Sequence, residues 1–129
     1  MTFKLLPFFA IFSLALFGFS ASANAQSAAA HQDINVASFK KMMSAPNTVI
    51  LDVRTPGEIA QGKINGAVAL DFYAADFQQR IDKLDKSKTY LVVCRSGSRS
   101  GQACRMMQQK GFSKLYNLQG GMMAWGQQK

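Results

Sequence analysis

Apolar residues in this chain gather into short β-branched runs, and between those runs they recur at helical spacing. Thr48-Val49-Ile50-Leu51-Asp52-Val53 and Thr89-Tyr90-Leu91-Val92-Val93 are almost continuously apolar, the pattern of strands covered on both faces. Ala67-Val68-Ala69-Leu70, introduced by Gly66, predicts a short buried strand, and Lys114-Leu115-Tyr116-Asn117-Leu118 predicts another. Asn35 is placed to cap a helix carrying Val36, Phe39, Lys40 and Met43, which Pro46-Asn47 ends. Thr55-Pro56 reads as an N-cap with proline at the first helical position, and Gly62 closes that short helix. Phe77, Ile81 and Leu84 predict a helix from Ala74 to Leu84. A further helix runs from Ser98 to Lys110, and Gly120-Gly121 leads into a last helical piece with Met122, Met123 and Trp125. This alternation predicts an α/β fold with a mainly parallel sheet, whose ligands bind outside the carboxyl ends of the strands.

The first residues follow a different pattern. Lys4 precedes the apolar stretch Leu5 to Phe19, and Ala23-Asn24-Ala25 forms a small-x-small site, together the signature of a secretory signal peptide cleaved after Ala25. The apolar stretch is short for a membrane span, which needs about 20 residues. The expected product is periplasmic or secreted, with no stable membrane anchor after cleavage. Residues 26–33 read as a flexible leader and 34–129 as one domain. Losing Lys4, the only charge in the leader peptide, takes the formal charge from +8 to +7. The basic residues form no long run, so most are expected on solvated faces, and the exported address argues against nucleic acid.

Cys94 opens the run Cys94-Arg95-Ser96-Gly97-Ser98-Arg99-Ser100, where the strongest strand ends. Arginines, hydroxyls and a glycine that lets the backbone turn its N–H groups inward make this loop an anion cradle around a nucleophile. The expectation is an exposed sulfur anion at position 94. Cys104 falls in the second turn of the following helix beside Ala103, Met106 and Met107, and reads as a buried small thiol. A bridge to Cys94 or a resolving role stays open. His31, the single histidine, lies in the leader and is not expected in catalysis.

Four motifs in order resemble those of a single-domain rhodanese, a sulfurtransferase. Leu51-Asp52-Val53-Arg54-Thr55-Pro56 with Glu58 resembles the amino-terminal signature of that family. Gly62-Lys63-Ile64-Asn65-Gly66-Ala67 resembles its Gly-His-Ile-Pro-Gly-Ala block, with Lys63 and Asn65 as departures. Cys94 to Ser100 resembles the active loop, and Tyr116-Asn117-Leu118 through Gly120-Gly121 to Trp125 the carboxyl-terminal signature. The resemblance implies a rhodanese-like α/β fold with a mainly parallel sheet of about five strands and helices on both faces. It implies no cofactor and no metal. Cys94 would carry sulfane sulfur as a persulfide, taking it from thiosulfate or a related small anionic donor. A thiophilic acceptor, cyanide or a thiol, including a thiol-bearing protein, would then remove it.

Arg95 and Arg99 are expected to attract the donor, Ser96 and Ser98 to offer hydroxyls or simply permit the turn, and Gly97 to set the backbone. Asp52, Arg54 and Glu58 are expected to support the scaffold rather than perform acid–base chemistry. Met106, Met107, Met122 and Met123 read as core packing rather than a copper site, and Trp125 as a core anchor able to wall the pocket. Phosphatases and arsenate reductases that share the strand-loop-helix arrangement use Cys-x5-Arg. Cys94 to Arg99 is Cys-x4-Arg, which favours sulfur transfer. An exported persulfide carrier or sulfur-binding partner protein and a thiol–disulfide enzyme are the other readings. The last is weakened by the lack of a Cys-x-x-Cys pair.

Overall fold

The computed structural model describes residues 31–127. The signal peptide, its cleavage after Ala25 and most of the leader lie outside the described residues. Five parallel strands form one sheet in the order β1-β5-β4-β2-β3: β1 (Gln32–Ile34), β2 (Thr48–Asp52), β3 (Val68–Ala69), β4 (Thr89–Val93) and β5 (Leu115–Leu118). The helices are α1 (Val36–Met42), α2 (Pro56–Ala60), α3 (Phe77–Asp82), α4 (Ser98–Gln109) and α5 (Gly121–Gly126).

The central strand β4 explains the layers. Side chains alternate across a strand, so Tyr90, Val92 and Cys94 join one core with Phe77, Ile81, Ala103, Cys104 and Met107 from α3 and α4. Leu91 and Val93 join the opposite core with Val36 and Phe39 of α1, and Met122 and Trp125 of α5 pack against it. Cys94 therefore follows Tyr90 and Val92 onto the α4 side, at the carboxyl end of β4. The α/β class, the parallel sheet and the helices on both faces agree with the sequence.

Four local expectations need correction. Gln32 and Asp33 belong to β1 and pair with Tyr116 and Asn117, so the leader ends earlier than residue 33. This three-residue edge strand is mostly exposed and carries no apolar period, so its existence depends on β5 rather than on its own residues. β3 is exposed rather than buried; Val68 is 48% exposed because this strand forms the far edge of the sheet, and only Leu70 beyond it enters the core. The Ala74–Leu84 helix shrinks to Phe77–Asp82, since Asp76 at its start makes no side-chain cap and Asp71 instead holds a turn by accepting from the Tyr73 N–H. Met123 is 54% exposed, not core.

Candidate active site

The chain enters the site from β4. After Val93 the backbone turns through Cys94 to Gly97, and Gly97 takes φ +97°, a left-handed conformation that side chains rarely adopt. A Cβ at Gly97 would also press on the Leu118 carbonyl at 3.3 Å. The turn aims the Gly97 N–H at the Cys94 sulfur, 3.1 Å away, and places the Ser100 hydroxyl 3.3 Å from the same atom. On the other side α5 caps the loop: the N–H groups of Met122 and Met123 donate to the carbonyls of Cys94 and Arg95 at 2.9 and 3.1 Å. Gly121, at φ +54°, makes this approach possible, because a Cβ there would overlap the Cys94 and Arg95 backbone.

Cys94 is fully buried, which overturns the expected exposed sulfur. The cradle itself is the reason: the donors that wrap the sulfur occupy the space that water would need, while Arg95, Ser96 and Ser98 above them are exposed. Burial pushes the thiol pKa up. It is outweighed by the Ser100 hydroxyl and the backbone N–H groups of Ser100, Ser96 and Gly97, so the pKa lies below the ordinary value. Of the two loop serines expected to offer hydroxyls, Ser96 contributes through its backbone, and Ser98 begins α4. Both cysteines are free thiols. Cys104 is buried on α4, and that burial pushes its thiol up to about 12, which keeps it protonated at neutral pH.

Arg99 does not serve as a free anion binder. Its guanidinium is held in a two-pronged pair by Glu58, at 2.8 and 2.7 Å, and lies over the exposed Tyr73 ring at 5.5 Å. Glu58 also completes a capping box at the start of α2, accepting from the Thr55 N–H while the Thr55 hydroxyl accepts from the Glu58 N–H. The pair therefore clasps α2 to α4 across the loop. Hydrogen bonding from Arg99, reinforced by Thr55 and opposed by burial, holds the Glu58 carboxyl at about 2 instead of 4.5. A carboxyl lowered on folding stabilises the fold fully above its unfolded pKa, and that contribution disappears as pH falls from about 4.5 through about 2. Glu58→Gln should melt below the parent at neutral pH. The gap should close as pH is lowered through that window; a gap independent of pH in thermal melts would contradict the clasp.

Asp52 and Arg54 form the scaffold pair expected of them. Asp52 is fully buried and Arg54 5% exposed, and the guanidinium meets both carboxylate oxygens, the shortest contact being 2.7 Å. Arg54 also donates to the Gly62 carbonyl at 2.9 Å, tying the end of β2 to the turn after α2. Beside the loop lies a cavity of about 500 Å³, whose lining includes Arg95, Lys63, Met122, Met123 and Trp125 together with Arg54 and Glu58. Neither Arg95 nor Lys63 has an ion-pair partner among the described residues. Trp125 both walls this cavity and packs edge-on against Phe39 at 6.0 Å. Arg105, near the loop in sequence, is exposed on α4 and lies outside the cavity lining.

Two residues of the site were quoted in the sequence motifs without a role of their own: Ser100, which touches the sulfur, and Asn117, which donates through Nδ2 to the Gly97 carbonyl at 3.1 Å. The signal for Asn117 was present, as a polar side chain inside an otherwise apolar strand must find a partner.

A buried thiol under amide donors, at the carboxyl end of a parallel strand and followed directly by a helix, defines a protein built to hold negative charge on sulfur. Comparison with known proteins narrows that class: the profile of the rhodanese-like domain matches residues 35–128, and the chain belongs to the rhodanese-like sulfurtransferase family. A sulfurtransferase of Allochromatium vinosum is 36% identical over 86 residues, 67% of this chain and 78% of that protein. The thiosulfate sulfurtransferase GlpE of Pseudomonas entomophila is 37% identical over 84 residues, covering 64% of this chain and 74% of its own length. Among solved structures, a rhodanese-like domain protein from Staphylococcus aureus superposes with a TM-score of 0.66 at 28% identity, over 75% of this chain and 93% of that one.

Proposed function

We propose that the protein moves sulfane sulfur from a small anionic donor of the thiosulfate type to a thiophilic acceptor through a persulfide on Cys94. One observation carries the reading: the Cys94 sulfur accepts the Gly97 N–H at 3.1 Å in a cradle that favours its anion. The thiolate attacks the outer sulfur of the donor. A new S–S bond forms at Cys94 as the donor's own S–S bond breaks, and sulfite leaves with the bonding electron pair. Cyanide or a thiolate then attacks the outer sulfur and takes it, and Cys94 departs as thiolate. No proton is transferred in either displacement, so the site needs no general base. Because the sulfur is buried, a donor reaches it only when the loop over it opens, which breaks contacts such as the Met123 N–H to Arg95 carbonyl bond. The expected leader peptide makes the periplasm or the exterior the proposed place of action.

With Arg99 occupied by Glu58, Arg95 and Lys63 are the cations left to attract the donor. Arg95→Ala should raise KM for thiosulfate by about 3–10-fold at low salt, with a smaller change in kcat, because an exposed charge acts mainly on encounter and binding. Steady-state assays at two ionic strengths check this. An unchanged KM would remove Arg95 from donor binding.

A further inference from the structure

The Ser100 hydroxyl stands between two acceptors. The Cys94 sulfur is 3.3 Å from Oγ and the Asn117 Oδ1 is 2.5 Å from it. The orientation of the Asn117 amide is fixed by its other end, since Nδ2 donates to the Gly97 carbonyl at 3.1 Å and to Asp33 Oδ1 at 2.9 Å, two groups that only accept. Oδ1 therefore has to face Ser100, and it can only accept. Ser100 is fully buried and Asn117 is 5% exposed. A hydroxyl has one proton to give.

We propose that Asn117 is a positioning residue that competes with the Cys94 sulfur for the single Ser100 proton, holding it while that sulfur is uncharged and yielding it when the sulfur becomes an anion. In the thiol form Ser100 donates to Asn117 and turns its lone pairs to the sulfur. In the bare thiolate Ser100 rotates its proton to the sulfur, leaving the Asn117 oxygen without a donor from Ser100. In the persulfide the charge moves to the outer sulfur, the inner one becomes a neutral bridging atom, and the proton returns to Asn117. The competition thus raises the bare thiolate relative to the loaded enzyme and favours sulfur loading. This consequence rests on the persulfide reading above; the competition itself does not.

The other ionisable and charged groups around this cluster are His31 and Asp33 at the β1 edge, with His31 Nε2 3.5 Å from Asp33. Cys104, Arg105 and Arg99 come from α4, Glu58 from α2, Arg95 from the loop, Tyr73 from the turn before α3, and the Asp52–Arg54 pair from the end of β2. Cys94→Ala leaves all of them in place, so any midpoint that survives in that variant belongs to them.

The test follows the pH dependence of Cys94 alkylation by iodoacetamide, located by peptide mass, in the parent, Ser100→Ala, Asn117→Ala and the double variant. Loss of a supporting hydrogen bond would ordinarily raise a thiol midpoint. Here Asn117→Ala should lower it by about 0.5–1 pH unit, the scale of one hydrogen bond. The same substitution in the Ser100→Ala background should move it by less than about 0.2 unit. A midpoint in Asn117→Ala that stays or rises, or a fall that persists without the Ser100 hydroxyl, overturns the competition. NMR on the unsubstituted chain provides a check independent of how the Ser100 and Asn117 variants fold. The Asn117 side-chain amide resonances should move with the Cys94 midpoint and lose that movement in Cys94→Ala. Resonances with no Cys94-linked midpoint overturn the proposal. Neither measurement uses a sulfur donor, so failure of sulfur transfer would leave both results readable.

Discussion

Cys94→Ser is expected to abolish thiocyanate formation from thiosulfate and cyanide, a loss of at least about 10³-fold in kcat/KM, while leaving the fold intact. A hydroxyl in this cradle has a far higher pKa than a thiol, so the anion that attacks sulfur is not formed at neutral pH. The oxygen can accept the Gly97 N–H as the sulfur does and stands beside the Ser100 hydroxyl, and it is smaller, so packing changes little. Thermal melts should accordingly stay close to those of the parent. Cys104 offers no substitute nucleophile, because its burial on the α4 face keeps it as a thiol. Retained turnover in Cys94→Ser would place the chemistry elsewhere.

Arg54→Met is expected to have the largest effect on stability. The substitution keeps much of the apolar stem but leaves the Asp52 carboxylate buried beside nothing that balances its charge. Breaking one partner of a buried ion pair costs about 3–5 kcal/mol, against a total of about 5–15 kcal/mol for a domain of ordinary size. Urea unfolding should therefore show a midpoint lowered by about a fifth or more. Asp52→Leu with Arg54→Met should recover most of the loss, since replacing both charges removes the desolvation penalty that replacing one exposes. If the single variant unfolded at the parent's midpoint, the pair would not be holding the end of β2 to the turn after α2.

How much of this was legible in the sequence depends on how local each feature is. The β4-loop-α4 segment could be read residue by residue: an apolar strand, a thiol at its end, a glycine where the turn needs positive φ, and a helix behind it. Strand β4 spans Thr89–Val93 and helix α4 spans Ser98–Gln109, close to the expected bounds. The Thr55-Pro56 cap and the Asn35 cap were equally readable, since each completes a hydrogen bond within three residues. Features that depend on distant partners were not. Strand β1 exists because β5 offers it a ladder 84 residues away, and nothing in Gln32-Asp33-Ile34 encodes that. The Glu58–Arg99 clasp spans 41 residues, so each member could be placed near the site but not with its partner. For the same reason Arg99 read as a donor-binding arginine, when its charge is already matched. The burial of Cys94 depends on the loop N–H groups and Ser100 wrapping its sulfur while α5 is bonded to the loop backbone, an approach that Gly121 permits, and a Gly-Gly pair in the sequence signals only a turn.

The clasp and the scaffold pair share a consequence for the site. Both fix the rim of the loop by charge pairing, while the loop itself is held by backbone hydrogen bonds to α5 and by Asn117. Within segment 95–98 the carbonyls of Arg95 and Gly97 are thus tied to α5 and β5, and the exposed side chains of Arg95, Ser96 and Ser98 are its freest parts.

Intact mass measurement after one equivalent of thiosulfate tests the central claim most directly. The protein should gain about 32 Da, one sulfur atom, mapped to Cys94 and removable by cyanide or dithiothreitol, with one equivalent of sulfite released. An unchanged mass, or the added sulfur on Cys104, would contradict it.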